Sequence, residues 1–198
     1  MRKASAKLAA RTFIEKLDRL DEYAREIEAS GLSKQAQTWA YEAALIKTYV
    51  ALEELMLRCL VASVNNDTAT ISAVSGIQFP KHLTDAVCEY LIVGDRYFDF
   101  KGYSGLVDLL KKYVPKDHWL YLTVKNTGVR KVLDQLVPLQ NFAAHEGKQS
   151  KDKARKAVDQ QQIGSAGAWI KSSGGRRFTA MTRDLRKLGH AIEMEALY

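Results

Sequence analysis

Residues 41–64, YEAALIKTYVALEELMLRCLVASV, decide the fold. Tyr41, Leu45, Tyr49, Leu52, Met56 and Leu60 recur mostly every four residues, and Ile46, Val50, Leu57 and Val61 widen the stripe. A period near 3.6 with more than one apolar face predicts a helix packed on several sides, hence a central one. Ser33 supplies an N-cap and Asn65-Asn66-Asp67 a stop, so the helix is expected over roughly 33–64.

Outward from that helix the chain reads as further helices. Leu8, Phe13, Leu17, Leu20 and Tyr23 predict a first helix over 4–30, with Gly31 as its stop. Asp67 to Phe79 reads as loop, and 81–93 as a shorter helix. The aromatic stretch GDRYFDFKGYSG reads as a turn, with Ser104 capping a helix over 105–114 that Pro115 closes. Asn126 or Thr127 starts a helix bearing Val129, Val132, Leu133, Leu136 and Val137. Pro138 lacks a backbone donor and predicts a kink before the pattern resumes through His145 to Gly147. Residues 151–160 read as helix, 161–175 as a Gly/Ser loop, and 178–196 as a terminal amphipathic helix. Only 12 Gly and 3 Pro occur among 198 residues, too few for the turns of an all-β sandwich. The expectation is an all-α, single-domain helical bundle spanning 1–198, with 148–198 as a basic C-terminal segment packed on it.

Hydrophobic residues at 46% and charged residues at 27% exclude wholesale disorder. No run of apolar residues is long enough to span a membrane. The basic N-terminus lacks an apolar core and soon meets Glu15, Asp18, Asp21 and Glu22, so no secretory signal is expected. Cys59 and Cys88 both sit in apolar runs and read as buried thiols of a cytoplasmic protein. His82, His118 and His190 show no metal-ligand spacing, and neither metal nor cofactor is expected.

The net charge of +7 is uneven: 148–190 holds eleven Lys/Arg against three Asp, so this segment carries the entire excess. Such a segment attracts a polyanion, because each neutralised phosphate releases condensed counterions. The Arg176-Arg177 and Arg186-Lys187 pairs favour phosphate binding over a merely solvated face.

In LQNFAAHEG, residues 139–147, Asn141 and His145 stand four apart and share a helix face, with Gln140 close to it. Leu139 and Phe142 point toward the opposite side and anchor the helix. An imidazole titrating near neutrality beside a basic loop suits a general base acting on a ribose hydroxyl. LQNFAAHEG resembles the Arg-Asn-x-x-x-x-His motif of the HEPN superfamily. The central YVALEELMLRCLV helix and DRYFDFKGYSGLVDLLKKYVP are similar to that motif's surroundings in HEPN-like proteins of ribosome-linked and phage-defence contexts, so the resemblance covers roughly 38–160.

The resemblance implies a homodimeric all-α domain that cleaves RNA without metal: the 2′-hydroxyl attacks the adjacent phosphate and leaves a cyclic phosphate end. It implies His145 in proton transfer and Asn141 as the motif's polar residue, with a toxin or phage-defence setting and a cognate antitoxin or defence-system protein as a further partner. Gln140 stands where the family has arginine. A guanidinium holds a phosphorane bidentately and stays charged, whereas an amide only donates hydrogen bonds. Either Lys148, Lys151, Arg130, Arg176, Arg177 or Arg183 substitutes for it, or catalysis is lost and the bundle is a non-catalytic dimerisation or protein-interaction module. A helical DNA-binding protein is the third reading. The expected RNA-binding set is Lys148, Lys151, Arg155, Lys156, Arg176, Arg177, Arg183 and Arg186. Trp39, Trp119, Tyr97 and Phe98 could stack bases but read rather as core or interface aromatics, and Glu54 reads as an i,i+4 partner of Arg58.

Overall fold

A computed structural model describes residues 4–198, within which ten helices and no strand occur. They are α1 (Ala6–Ala29), α2 (Lys34–Asn66), α3 (Ala69–Ser75), α4 (Asp85–Val93), α5 (Gly102–Tyr113), α6 (Trp119–Asn126), α7 (Arg130–His145), α8 (Lys148–Ala157), α9 (Ala166–Ile170) and α10 (Arg176–Glu195). The chain is all-helical. Among the described residues no helix is long and apolar enough to cross a membrane.

The helix expected from 33–64 is α2. Ser33 Oγ accepts the Ala36 N–H at 3.2 Å, closing its first turn. Its sides meet α1, α4, α7 and α9, so Leu52, Met56, Leu60 and Val61 are fully buried. Burying one such side chain contributes roughly 1.5–3 kcal/mol, which is why α2 dominates the core. Val50 departs from the expected stripe and is exposed. In α1, Leu8 and Tyr23 likewise face solvent, and the buried stripe runs instead through Ala10, Phe13, Leu17, Leu20 and Ala24.

Glu54 does not pair with Arg58. It is bound by Lys16 of α1, while Arg58 Nη1 reaches Glu89 of α4 at 3.0 Å. Both pairs fasten neighbouring helices to α2 rather than decorating one helix.

The terminal helix α10 lies against α1. Gly189 permits the approach, since a Cβ there would stand 2.8 Å from Ile14 Cγ1. Arg186 bridges Asp18 and Asp21 at 2.9 and 2.7 Å, and Thr182 Oγ1 donates to Asp21 Oδ1 at 2.7 Å.

Three segments expected as loop or left unassigned are helical. Helix α3 lies within 67–79; α9 lies within 161–175, capped by Ser165 Oγ on the Ala168 N–H. Helix α6 is capped by the His118 ring, whose Nδ1 accepts the Leu120 N–H at 3.1 Å. The helix start expected at Asn126 or Thr127 is therefore the end of α6. Helix α4 begins only at Asp85 behind Thr84, and α5 begins at Gly102 rather than after Ser104.

Candidate functional site

Helix α7 runs through Pro138 without ending. Proline removes only its own bond to the carbonyl four residues back, that of Asp134, and both residues line an open groove where water reaches the backbone. The helix buries Leu133, Leu136, Leu139 and Phe142, and this anchoring leaves Asn141 and His145 on the exposed face one turn apart. Glu146 then takes a left-handed conformation (φ 46°), and Gly147 leads directly into α8 at Lys148, three residues before the expected start. His145 thus stands at the corner between two helices.

The groove, about 1010 Å³, is walled by α2, the 97–102 segment, α7 and the start of α8. Gln140, Asn141 and His145 line it together, so the structure brings all three motif residues to one place. Among the described residues, the His145 imidazole makes no hydrogen bond or ion pair. Asn141 Nδ2 donates to the Val137 carbonyl at 2.9 Å, which turns its amide oxygen outward as an acceptor.

The opposite wall carries groups the sequence reading did not single out. Tyr49 Oη donates to Asp99 Oδ1 at 2.8 Å, with the Phe100 carbonyl at 3.2 Å, which pins the 97–101 segment onto α2. Burial and the neighbouring carboxylates hold the Tyr49 hydroxyl far above the ordinary tyrosine range, so it remains a neutral donor. Glu53, one turn on, is pushed up to about 7, mainly by burial, with the nearby Tyr49 hydroxyl opposing and the Asp99 charge adding to the rise. The cations in the groove are Lys101 and Lys153.

None of the basic residues nominated from the sequence lines this groove. Lys148 and Lys156 are exposed on α8, and Lys151 faces a neighbouring pocket. Arg155 reaches Asp152 at 3.9 Å and the Gln161 carbonyl at 3.3 Å. Arg130 pairs with Asp134 at 3.6 Å and lies 5.7 Å over the Tyr103 ring. On α10, Arg176 donates to the Ser173 carbonyl, Arg177 lies 4.6 Å over Trp169, and Arg183 pairs with Asp184 at 3.6 Å. Arg186 is spent on α1. The expected basic segment is thus split: α8 borders the groove, whereas the α10 arginines engage groups outside it.

Of the aromatics read as core or interface, Trp39 is 60% and Tyr97 98% exposed, outside the core. Trp119 is packed against the core, edge-on to Tyr198, and Phe98 is half-buried beside Phe100. Both cysteines are buried and free. No protein-family model, curated protein or solved structure matches the chain.

Proposed function

We propose that this chain is a HEPN-like RNA-binding protein, a single domain that cleaves RNA at the His145 groove without a metal or cofactor. The observation carrying this reading is the uncommitted imidazole of His145, one turn from Asn141, in a groove that also holds Lys101 and Lys153. In the reaction, His145 Nε2 or Nδ1 takes the 2′-hydroxyl proton and the oxygen attacks the adjacent phosphorus. The bond to the 5′-oxygen breaks, and that oxygen takes a proton from a carboxyl such as Glu53 or from water. Lys153 and Lys101 take the place of the motif arginine in offsetting the phosphorane charge. Removing one preorganised donor of this kind costs about a hundred- to a thousand-fold in rate.

The test is incubation of the purified protein with total RNA in EDTA. Cleavage leaving cyclic phosphate ends, abolished by His145→Ala and accelerated by Gln140→Arg, supports the reading. Intact RNA, or cleavage indifferent to His145→Ala, overturns its catalytic form.

A second reading is a non-catalytic module that forms homodimers or docks an antitoxin or defence-system protein. It is favoured by Gln140 and by the groove's carboxylates Glu53, Asp99 and Asp134, which outnumber its two lysines. Both readings place the protein in the cytoplasm.

A further inference from the structure

A second pocket, about 420 Å³, lies across the α7–α8 corner from His145. The corner is a ridge between the two: His145, Gly147 and Lys153 line the groove, whereas Phe142, Glu146 and Lys151 line the second pocket. Its floor is the first two turns of α2, where Gln35, Thr38, Trp39 and Glu42 share a face by helical spacing. Its volume falls within the range of ordinary small-ligand sites.

Two features mark it as more than a surface dimple. Glu42 is only 8% exposed, yet its carboxylate makes a single hydrogen bond, from the Gly167 N–H to Oε1 at 3.2 Å, and no ion pair among the described residues. Its Oε2 has no donor among the described residues and is not sealed off, so it stays open to a ligand in the pocket. Trp39, three residues earlier on the same face, holds its indole 60% exposed at the pocket rim. The Glu42 carboxylate, the exposed Trp39 indole and Lys151 line one pocket, and their chemistry suits the edge, the face and the phosphate of a nucleotide.

An arginine side chain of a partner protein could also stack on indole and reach a carboxylate. The lining itself holds Glu42 and Glu146 against Lys151, but the adjoining α8 carries Lys148, Lys151, Lys153, Arg155 and Lys156 against Asp152, and this larger positive field favours the phosphate of a nucleotide over a cationic side chain. Among the bases, guanine presents N1–H and its amino group side by side, the pair a carboxylate accepts. Adenine and cytosine offer only the amino group at that edge, and uracil only N3–H.

We propose that this pocket holds an unpaired guanine of single-stranded RNA, stacked on Trp39 and read by Glu42, with Lys151 on the adjoining phosphate, next to the link presented to His145. The assignment rests on the RNA reading above and adds a substrate class to it: single strands containing guanosine.

The test is fluorescence anisotropy with the full chain carrying His145→Ala, so that the strand is held uncut. The probes are a short labelled oligouridylate and the same strand with one central guanosine. The guanosine strand binds roughly tenfold tighter, and Trp39→Ala costs that strand roughly tenfold. Glu42→Gln abolishes the guanosine preference and leaves oligouridylate affinity unchanged. The glutamine keeps an acceptor for the Gly167 N–H, and an unaltered thermal midpoint verifies the fold. Equal binding of the two strands, or a preference that survives both variants, overturns the guanine pocket while leaving RNA binding intact. Failure to bind either strand overturns the RNA reading and the guanine pocket together. Quenching of Trp39 by an arginine amide but not by guanosine monophosphate overturns the pocket in favour of a protein partner.

Discussion

Glu53 shows how a groove residue escapes notice in the sequence. In the chain it reads as one of two adjacent acids on a long helix, where solvation is the ordinary fate. Its surroundings come from residues far along the chain: Asp99 stands beside it, held by Tyr49. Asn141 and His145 were legible because both lie on one helix turn; Glu53, Asp99, Lys101 and Lys153 were not, because tertiary folding alone brings them to that turn. The displaced titration has a stability consequence. The folded-state value, about 7, lies above the ordinary 4.5, so between those limits the folded protein keeps a proton that the unfolded chain has released. The penalty for burying the carboxylate is therefore absent below pH 4.5 and complete above pH 7. For a half-exposed group, solvent screening reduces it to about 1–2 kcal/mol. Glu53→Gln is predicted to raise the urea midpoint relative to wild type at pH 8 and to leave it unchanged at pH 4, as urea titrations at the two pH values will determine.

At the scale of elements, the long helices were readable because periodic apolar residues and Ser caps agree over many turns, as at Ser33 and along 41–64. Short helices carry too few turns for a period. Helix α6 begins at a histidine cap, a device without a sequence signature, and α9 is 5 residues long among glycines. At Pro138 the helix α7 continues rather than starting afresh, and the open groove beside it accommodates the missing bond. Helix α9 nonetheless holds a definite place. Gly167 sits so close to α2 that a Cβ would stand 2.1 Å from the Thr38 carbonyl oxygen. Backbone cannot yield as a flexible side chain does, so Gly167→Ala must push α9 off α2 and break the Glu42 bond. A loss of about 3 kcal/mol is expected, at the upper end of ordinary overpacking, with faster amide exchange confined first to α9 and its flanks. Denaturant unfolding combined with hydrogen exchange measures both.

Across the whole molecule, the excess charge of 148–190 is divided between α8, which borders the groove, and α10, whose arginines engage groups outside it. Spending Arg186 on Asp18 and Asp21 ties the last helix to the first, a structural use that counting charges does not reveal. Arg186→Ala is therefore expected to lower stability by about 2 kcal/mol, the worth of charged hydrogen bonds in a partly buried setting. It should leave the salt dependence of RNA binding unchanged. Lys153→Ala should do the reverse, leaving the fold intact while reducing the slope of log affinity against log salt by about 1. Affinity titrations over a range of salt concentrations separate the two.

The most direct measurement is a histidine-resolved NMR titration of the full chain with single-stranded RNA at a pH where the strand stays intact. His118 serves as the internal reference, since its ring is engaged by Tyr198 and the Leu120 N–H, and burial holds its titration below the ordinary range. With RNA bound at the groove, the His145 ring signals shift, while those of His118 stay in place. An unmoved His145 in an RNA-saturated sample, with the perturbations gathered on α10 instead, would contradict the account.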